Sequence, residues 1–171
     1  MNDHRIRTPL PTDFSALAET IAETPDTDAM FAAVARIAGA NIGHRLFTVM
    51  AFDAAAMTVQ RAYSDNPEAY PPGGIKNKRD TAWGRLVLDD GQPFIGRDAD
   101  AIRAHFDDHQ VIFELGLESV LNVPIRLGGQ TLGTMNLLHD AGFYDEADLP
   151  WGFFLAGQLA APLAHGAAIG K

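Results

Sequence analysis

The sequence contains no cysteine, and that zero removes several chemistries at once. Disulfide staples, thiol redox exchange, cysteine-ligated zinc and thioether-linked chromophores all need the sulfur. Positive charge is also scarce. Thirteen Lys and Arg stand against 22 Asp and Glu, for a formal net charge of −9 and a pI near 4.9. Nucleic acids and anionic membrane surfaces are recognised through basic footprints, so neither is an expected partner. No run approaches the roughly 18 apolar residues of a membrane span. The opening "MNDHRIRTPLPTD" lacks the apolar centre of a secretory leader. A soluble, cytoplasmic protein is expected. P-loop, dinucleotide fingerprint and Gly-x-Ser-x-Gly elbow are all absent, and no cofactor is expected.

What is present is a globular composition: 171 residues, 47% hydrophobic and 20% charged, enough for one domain with one substantial core. Residues 1–12 are polar and proline-bearing and read as a flexible lead, with the domain over 13–171. Helical spacing of Phe14, Leu17 and Ile21 predicts a helix over Asp13–Thr24, ended by Pro25. A second helix starts near Asp26 or Thr27, buries Met30, Phe31, Val34, Ile37 and Ala38, and is capped by Gly43.

Arg45–Asp53 and Thr58–Ser64 read as strands joined by an Ala-rich turn. "DNPEAYPPGGIKNKRD" follows, a Pro- and Gly-rich segment too long for a simple connector and therefore a functional suspect. Thr81 is placed to cap a short helix, "AWGRLVLDD", ended at Gly91, with Asp80 beside it in a capping position. "QPFIG" is a short strand, Asp98–Leu117 reads as one or two short helices, and Asp145–Ala167 as a closing helix. Strands joined mainly through hairpins give an α+β fold, a central antiparallel sheet with helices on one face.

The hairpin "LNVPIRLGGQTLGTMNLLH" (Leu121–His139) carries an asparagine in each otherwise apolar arm, although asparagine is a poor strand residue and costly to bury unpartnered. A three-residue loop, Gly128-Gly129-Gln130, would pair Leu127 with Thr131, Ile125 with Gly133, Val123 with Met135 and Leu121 with Leu137. One face is then apolar, and the other sets Asn122 directly opposite Asn136. Two readings stay open: the amides bond each other, or their face lines a polar cavity. Pro124 sits in tension with a central ladder position.

At this point the order of elements resembles a GAF domain over Asp26 to about Ala164. The likeness rests on "SVLNVPIRLGGQTLGTMNLLH" and on "WGRLVLDDGQPFIGRD" upstream. It implies an antiparallel sheet with the terminal helices on one face and a ligand pocket on the other, facing Asn122 and Asn136. Such domains are typically small-molecule sensors fused to an output domain, and none is expected within this chain. Bilin attachment and the family's methionine-sulfoxide reductase branch both work through cysteine and do not fit. "NKRD" (Asn77–Asp80) shares only two letters with the signature of cyclic-nucleotide-binding members.

Arg61 and Tyr63 alternate on the second strand; an arginine facing the pocket would favour a carboxylate or phosphate. Tyr70 and Trp83 bracket the Pro-Gly segment and suit either a lid or plain packing. His105 and His109 in "HFDDH" have a spacing that clamps a metal on one helical face, with Asp107 and Asp108 as added ligands. A surface charge cluster is the plainer account, and no metal is expected. His109 alone suits a hydrogen-bonding role at the pocket wall. His139 with Asp140 reads as a strand-end pair or a polar pair at the pocket rim.

The expected ligand-binding set is therefore Arg61, Tyr63, Tyr70, Trp83, His109, Asn122 and Asn136, around a small polar, anionic metabolite. A cofactor-independent enzyme with His109 as acid and base is the second reading. An interaction module with a degenerate pocket is the third. Trp151, Phe153, Phe154 and Leu155 give the closing helix apolar residues around most of its circumference, from which a homodimer through the terminal helices is expected.

Overall fold

In the computed structural model, which describes residues 11–23 and 26–169, two helices, α1 (Pro11–Glu23) and α2 (Thr27–Asn41), lead into the sheet. Strands β1 (Leu46–Asp53), β2 (Thr58–Ser64) and β3 (Ile75–Asn77) come next. A π-helical turn (Gly84–Asp89) precedes β4 (Phe94–Gly96), followed by α3 (Ala99–His105) and α4 (His109–Glu114). The hairpin β5 (Ser119–Leu127) and β6 (Gln130–His139) precedes a 3-10 turn (Glu146–Asp148), α5 (Leu149–Gln158) and α6 (Ala160–Ile169). The six strands form one sheet in the order β3-β2-β1-β6-β5-β4, every neighbouring pair antiparallel. The lead over residues 1–10 and the stop at Pro25 lie outside the described residues. Residues 11 and 12 belong to α1, proline being well suited to a first helical turn, where its missing N–H costs nothing.

Local chemistry explains most boundaries. The Asp26 carboxylate caps α2 by accepting from the Asp28 and Ala29 N–H groups, and Gly43, at φ +102°, returns its N–H to Ala38 O. The positive φ is the reason for glycine there. The closing segment, expected as a single helix, breaks at Leu159 into α5 and α6.

The hairpin register is as expected from Leu121 to Ile125, with Asn122 opposite Asn136. Its tip differs. Gly128 and Gly129, at φ +57° and +82°, form a two-residue turn that pairs Leu127 with Gln130. A bulge beyond Ile125 absorbs the additional residue, Leu132, so the remaining pairs match those of a three-residue loop. Bulges supply one unpaired residue in this way.

The odd-numbered face, with Leu121, Val123, Ile125, Met135 and Leu137, packs under the terminal helices in the main core. Trp151 and Leu155 of α5 are buried in that core, and Phe14 of α1 stacks on Trp151 at 6.0 Å and meets Phe154 edge-on at 5.2 Å. Much of the apolar circumference of the closing helix is thus covered within the chain, while Phe153 stays exposed. The opposite sheet face is covered by the π-helical turn, α3 and α4, through smaller apolar clusters around Trp83 and Ile102.

Gly133 is held by the backbone of the neighbouring strand: a Cβ there would collide with the Met50 carbonyl and press on Leu163. Gly133→Ala is expected to destabilise the protein by about 1–3 kcal/mol. Urea unfolding checks this as a lower midpoint at unchanged slope.

Candidate functional site

The site begins as a row of polar side chains across the sheet. Thr48 on β1 pairs with Asn136 on β6, which pairs with Asn122 on β5. All three are buried, and each finds its partner along the row. Trp83 Nε1 donates to Asn122 Oδ1 at 2.9 Å, Asn122 Nδ2 to Asn136 Oδ1 at 2.7 Å, and Asn136 Nδ2 to Thr48 Oγ1 at 3.1 Å. Buried amides need this satisfaction. The two sequence readings are therefore not alternatives: the asparagines bond each other, and the same side chains line a cavity.

The cavity, about 50 Å³, lies between the sheet and the α3–α4 side. Its walls are apolar at Trp83, Phe106, Ile102 and Ile112, with Thr134 and the asparagines on the sheet and Arg61, Tyr70, Lys76 and Lys78 completing it. Thr134 is fully buried and its Oγ1 has no partner. A wider groove between α2, β2 and α6 has Asp28 and Asp53 but no cation among its lining residues.

Arg61 is 7% exposed. Its Nη1 donates to Pro71 O at 2.6 Å, its guanidinium lies 3.6 Å over the Tyr70 ring, and its Nε is buried without a partner. Asp108, at the break between α3 and α4, accepts from the Tyr70 hydroxyl and pairs with Lys76 Nζ at 2.5 Å; Arg61 Nη2 is 3.9 Å away. Burial pushes the Asp108 carboxyl upward, but the Lys76 charge and hydrogen bond and the Tyr70 hydroxyl outweigh it, leaving the group below its ordinary value. The Tyr70 phenol is raised, first by burial and then by the Asp108 charge.

Lys78 is held by its backbone. Its N–H donates to Met57 O at 2.9 Å, and its carbonyl accepts from Thr81 Oγ1 at 2.9 Å, while Thr81 Oγ1 accepts the Gly84 N–H. A Cβ at Gly84 would collide with that carbonyl, so glycine is required by close approach. The side chain is 4% exposed, with Nζ 5.1 Å from the Trp83 ring centre and 5.8 Å from that of Phe106. It forms no ion pair with any described carboxylate. Burial first, then the neighbouring Lys76, lowers its pKa, against the opposing charges of Asp107 and Asp108.

Of the residues expected from sequence, Arg61, Tyr70, Trp83, Asn122 and Asn136 line this one cavity; Tyr63 and His109 do not. A bulge in β2 pairs Val49 with Tyr63 but Met50 with Arg61, leaving Ala62 unmatched. The extra residue reverses the alternation, and Tyr63 packs against Phe31 and Phe47 on the helix side. His109 opens α4, its Nδ1 2.9 Å from Phe106 O and its ring beside Phe113. His105 ends α3 and lies on Phe94. The histidines thus belong to separate helices, and no cluster of three metal-ligating side chains occurs among the described residues. Asp80 adopts φ +62° and leaves capping to Thr81. The ring of His139 stacks on Phe143 at 3.5 Å.

Lys76, Lys78, Thr48 and Thr134 escaped the sequence reading. A signal for the lysines existed: the chain has only three, Lys76, Lys78 and Lys171, and two stand at strand spacing in the long Pro-Gly segment.

A family model described as GAF domain matches residues 17–164. Solved structures with the same fold include the GAF domain of a phosphoenolpyruvate-protein phosphotransferase from Coxiella burnetii, at 18% identity and TM-score 0.74, covering 93% of this chain and 95% of that one. The GAF domain of a two-component sensor histidine kinase from Bacillus halodurans is 15% identical, TM-score 0.70, over 86% of this chain and 100% of that one. Free methionine-R-sulfoxide reductase from Neisseria meningitidis, solved with its substrate, is 18% identical, TM-score 0.68, over 89% and 88%. No curated protein sequence matches the chain.

Two outcomes test the site's internal bonds. Asn122→Ala leaves Trp83 Nε1 and Asn136 Oδ1 without partners and is expected to cost about 1–3 kcal/mol in chemical unfolding. The lowered Asp108 carboxyl contributes stability that is present above its ordinary value of 3.8 and lost as pH falls through the lowered value. Asp108→Asn should therefore reduce stability at pH 7 and flatten the acid limb of the melting-temperature profile.

Proposed function

The chain belongs to the GAF-domain family, and on that premise we propose that it is a sensory or regulatory module whose cavity takes a small anionic ligand. One observation carries this reading: three cations, Arg61, Lys76 and Lys78, line the cavity, against two nearby carboxylates, Asp108, which pairs with Lys76, and Asp107, in a protein of net charge −9. Lys76 is matched by Asp108; Lys78 has no such partner. Burying a cation without a counter-charge is unfavourable, and an anion beside Lys78 and the unpartnered Arg61 Nε offsets that cost. Thr134 and the amide row offer polar atoms to the rest of the ligand, and Trp83 and Phe106 an apolar wall.

Size narrows the class. The cavity of about 50 Å³ suits a small metabolite. With His109 outside the lining, the acid-base reading lacks its residue at the cavity. A homodimer through the terminal helices belongs to the same proposal, with exposed Phe153 as its apolar contact.

A panel of small carboxylates and oxyanions, compared with their neutral amides at constant ionic strength, tests the anion reading by melting temperature. Anions of one class should raise it and the amides should not. Lys78→Met should stabilise the free protein by about 0.5–2 kcal/mol, and both it and Arg61→Ala should remove the anion-dependent rise. Equal shifts from neutral analogues, or undiminished shifts in both variants, contradict the reading.

A further inference from the structure

Lys78 has a chemistry beyond charge. A lysine that is desolvated, or set beside another cation, is the kind whose amine becomes a nucleophile toward carbonyl compounds. Lys78 is both: it is a buried residue beside the Trp83 and Phe106 rings, and Lys76 is the largest influence on its charge after burial. Lys76 itself is tied to Asp108 at 2.5 Å. The same cavity contains Arg61, the side chain suited to a carboxylate, with its Nε unpartnered. An amine and a carboxylate anchor thus share a space of about 50 Å³, and among anions the compounds that combine a carbonyl with a carboxylate in the fewest atoms are short 2-oxo acids.

We propose that Lys78 captures a small 2-oxo acid as an imine, its carboxylate held by Arg61. The inference rests on the anionic-ligand reading and adds a covalent step to it. The neutral Nζ attacks the carbonyl carbon, forming a C–N bond while the C=O π pair moves to oxygen, which takes a proton. The resulting carbinolamine loses the nitrogen proton and its hydroxyl as water, and the C=N bond forms. The balance is amine plus ketone or aldehyde to imine plus water, with no oxidant or reductant. The proton released when the ammonium becomes an amine returns to the imine nitrogen when it is protonated.

The test uses the full chain with pyruvate or glyoxylate and sodium cyanoborohydride, which reduces an imine to a stable secondary amine. Intact mass and peptide mapping then locate the adduct. Lys78 should label about tenfold faster than Lys76 or Lys171, and Lys78→Arg should lose that adduct while keeping a thermal shift from lactate, which has the charge but no carbonyl. Arg61→Met, with the amine intact, should slow labelling by pyruvate and leave labelling by neutral propionaldehyde unchanged. Label spread over Lys76, Lys171 and the N-terminal amine with no excess at Lys78 overturns the imine. If lactate and pyruvate stabilise equally in that case, the anion reading stands alone; if neither stabilises the protein, both readings fall.

Discussion

The hydrogen bond between Asn122 and Asn136 is the contact on which the site depends. It lies in the middle of the sheet, between strands whose other face is the apolar core, and it cannot be lost without leaving two buried amides to find new partners. It also extends beyond the pair. Trp83 is tied to one end and Thr48 to the other, so the sheet positions the indole, and the indole flanks Lys78. Thr81 and Gly84 hold the Lys78 backbone from the other side. A backbone constraint and an amide row therefore meet at one buried ammonium.

The same region concentrates the unsatisfied polar atoms. Arg61 Nε, Asp108 Oδ1 and Thr134 Oγ1 are three of the five buried side-chain polar atoms without partners among the described residues. Buried polar groups are ordinarily paired, and exceptions call for an explanation. Here they sit in or beside one cavity that also carries excess positive charge. The helix side of the sheet has the opposite character, an extensive apolar core whose aromatic residues contact one another within the chain. Stability is supplied on one face and left incomplete on the other, the division expected when a fold hosts a binding site.

The sheet and its two faces were legible in the sequence because alternation has a strict period of two, and one apolar face demands one register. The Asn122–Asn136 apposition followed from that count. What escaped it were irregularities of the same period. Ala62 adds one residue in β2 and sends Tyr63 to the helix side while Arg61 stays at the cavity; Leu132 does the same near the hairpin tip. The "HFDDH" spacing suggested one helical face, but the chain breaks at Phe106–Asp108 and Asp108 becomes a counter-ion to Lys76. Lys78 was illegible for another reason: its burial depends on Gly84 and Trp83 folding over it, contacts that no local pattern encodes.

The proposed anion rests beside Lys78. With only three lysines in the chain, ¹³C labelling of lysine gives three ε-methylene signals, and titration with a small carboxylate at constant ionic strength reads each of them. A saturable shift of the Lys78 signal is expected, with a smaller one at Lys76 and none at Lys171. A Lys78 signal that stays fixed, or three signals that drift together without saturation, would contradict it.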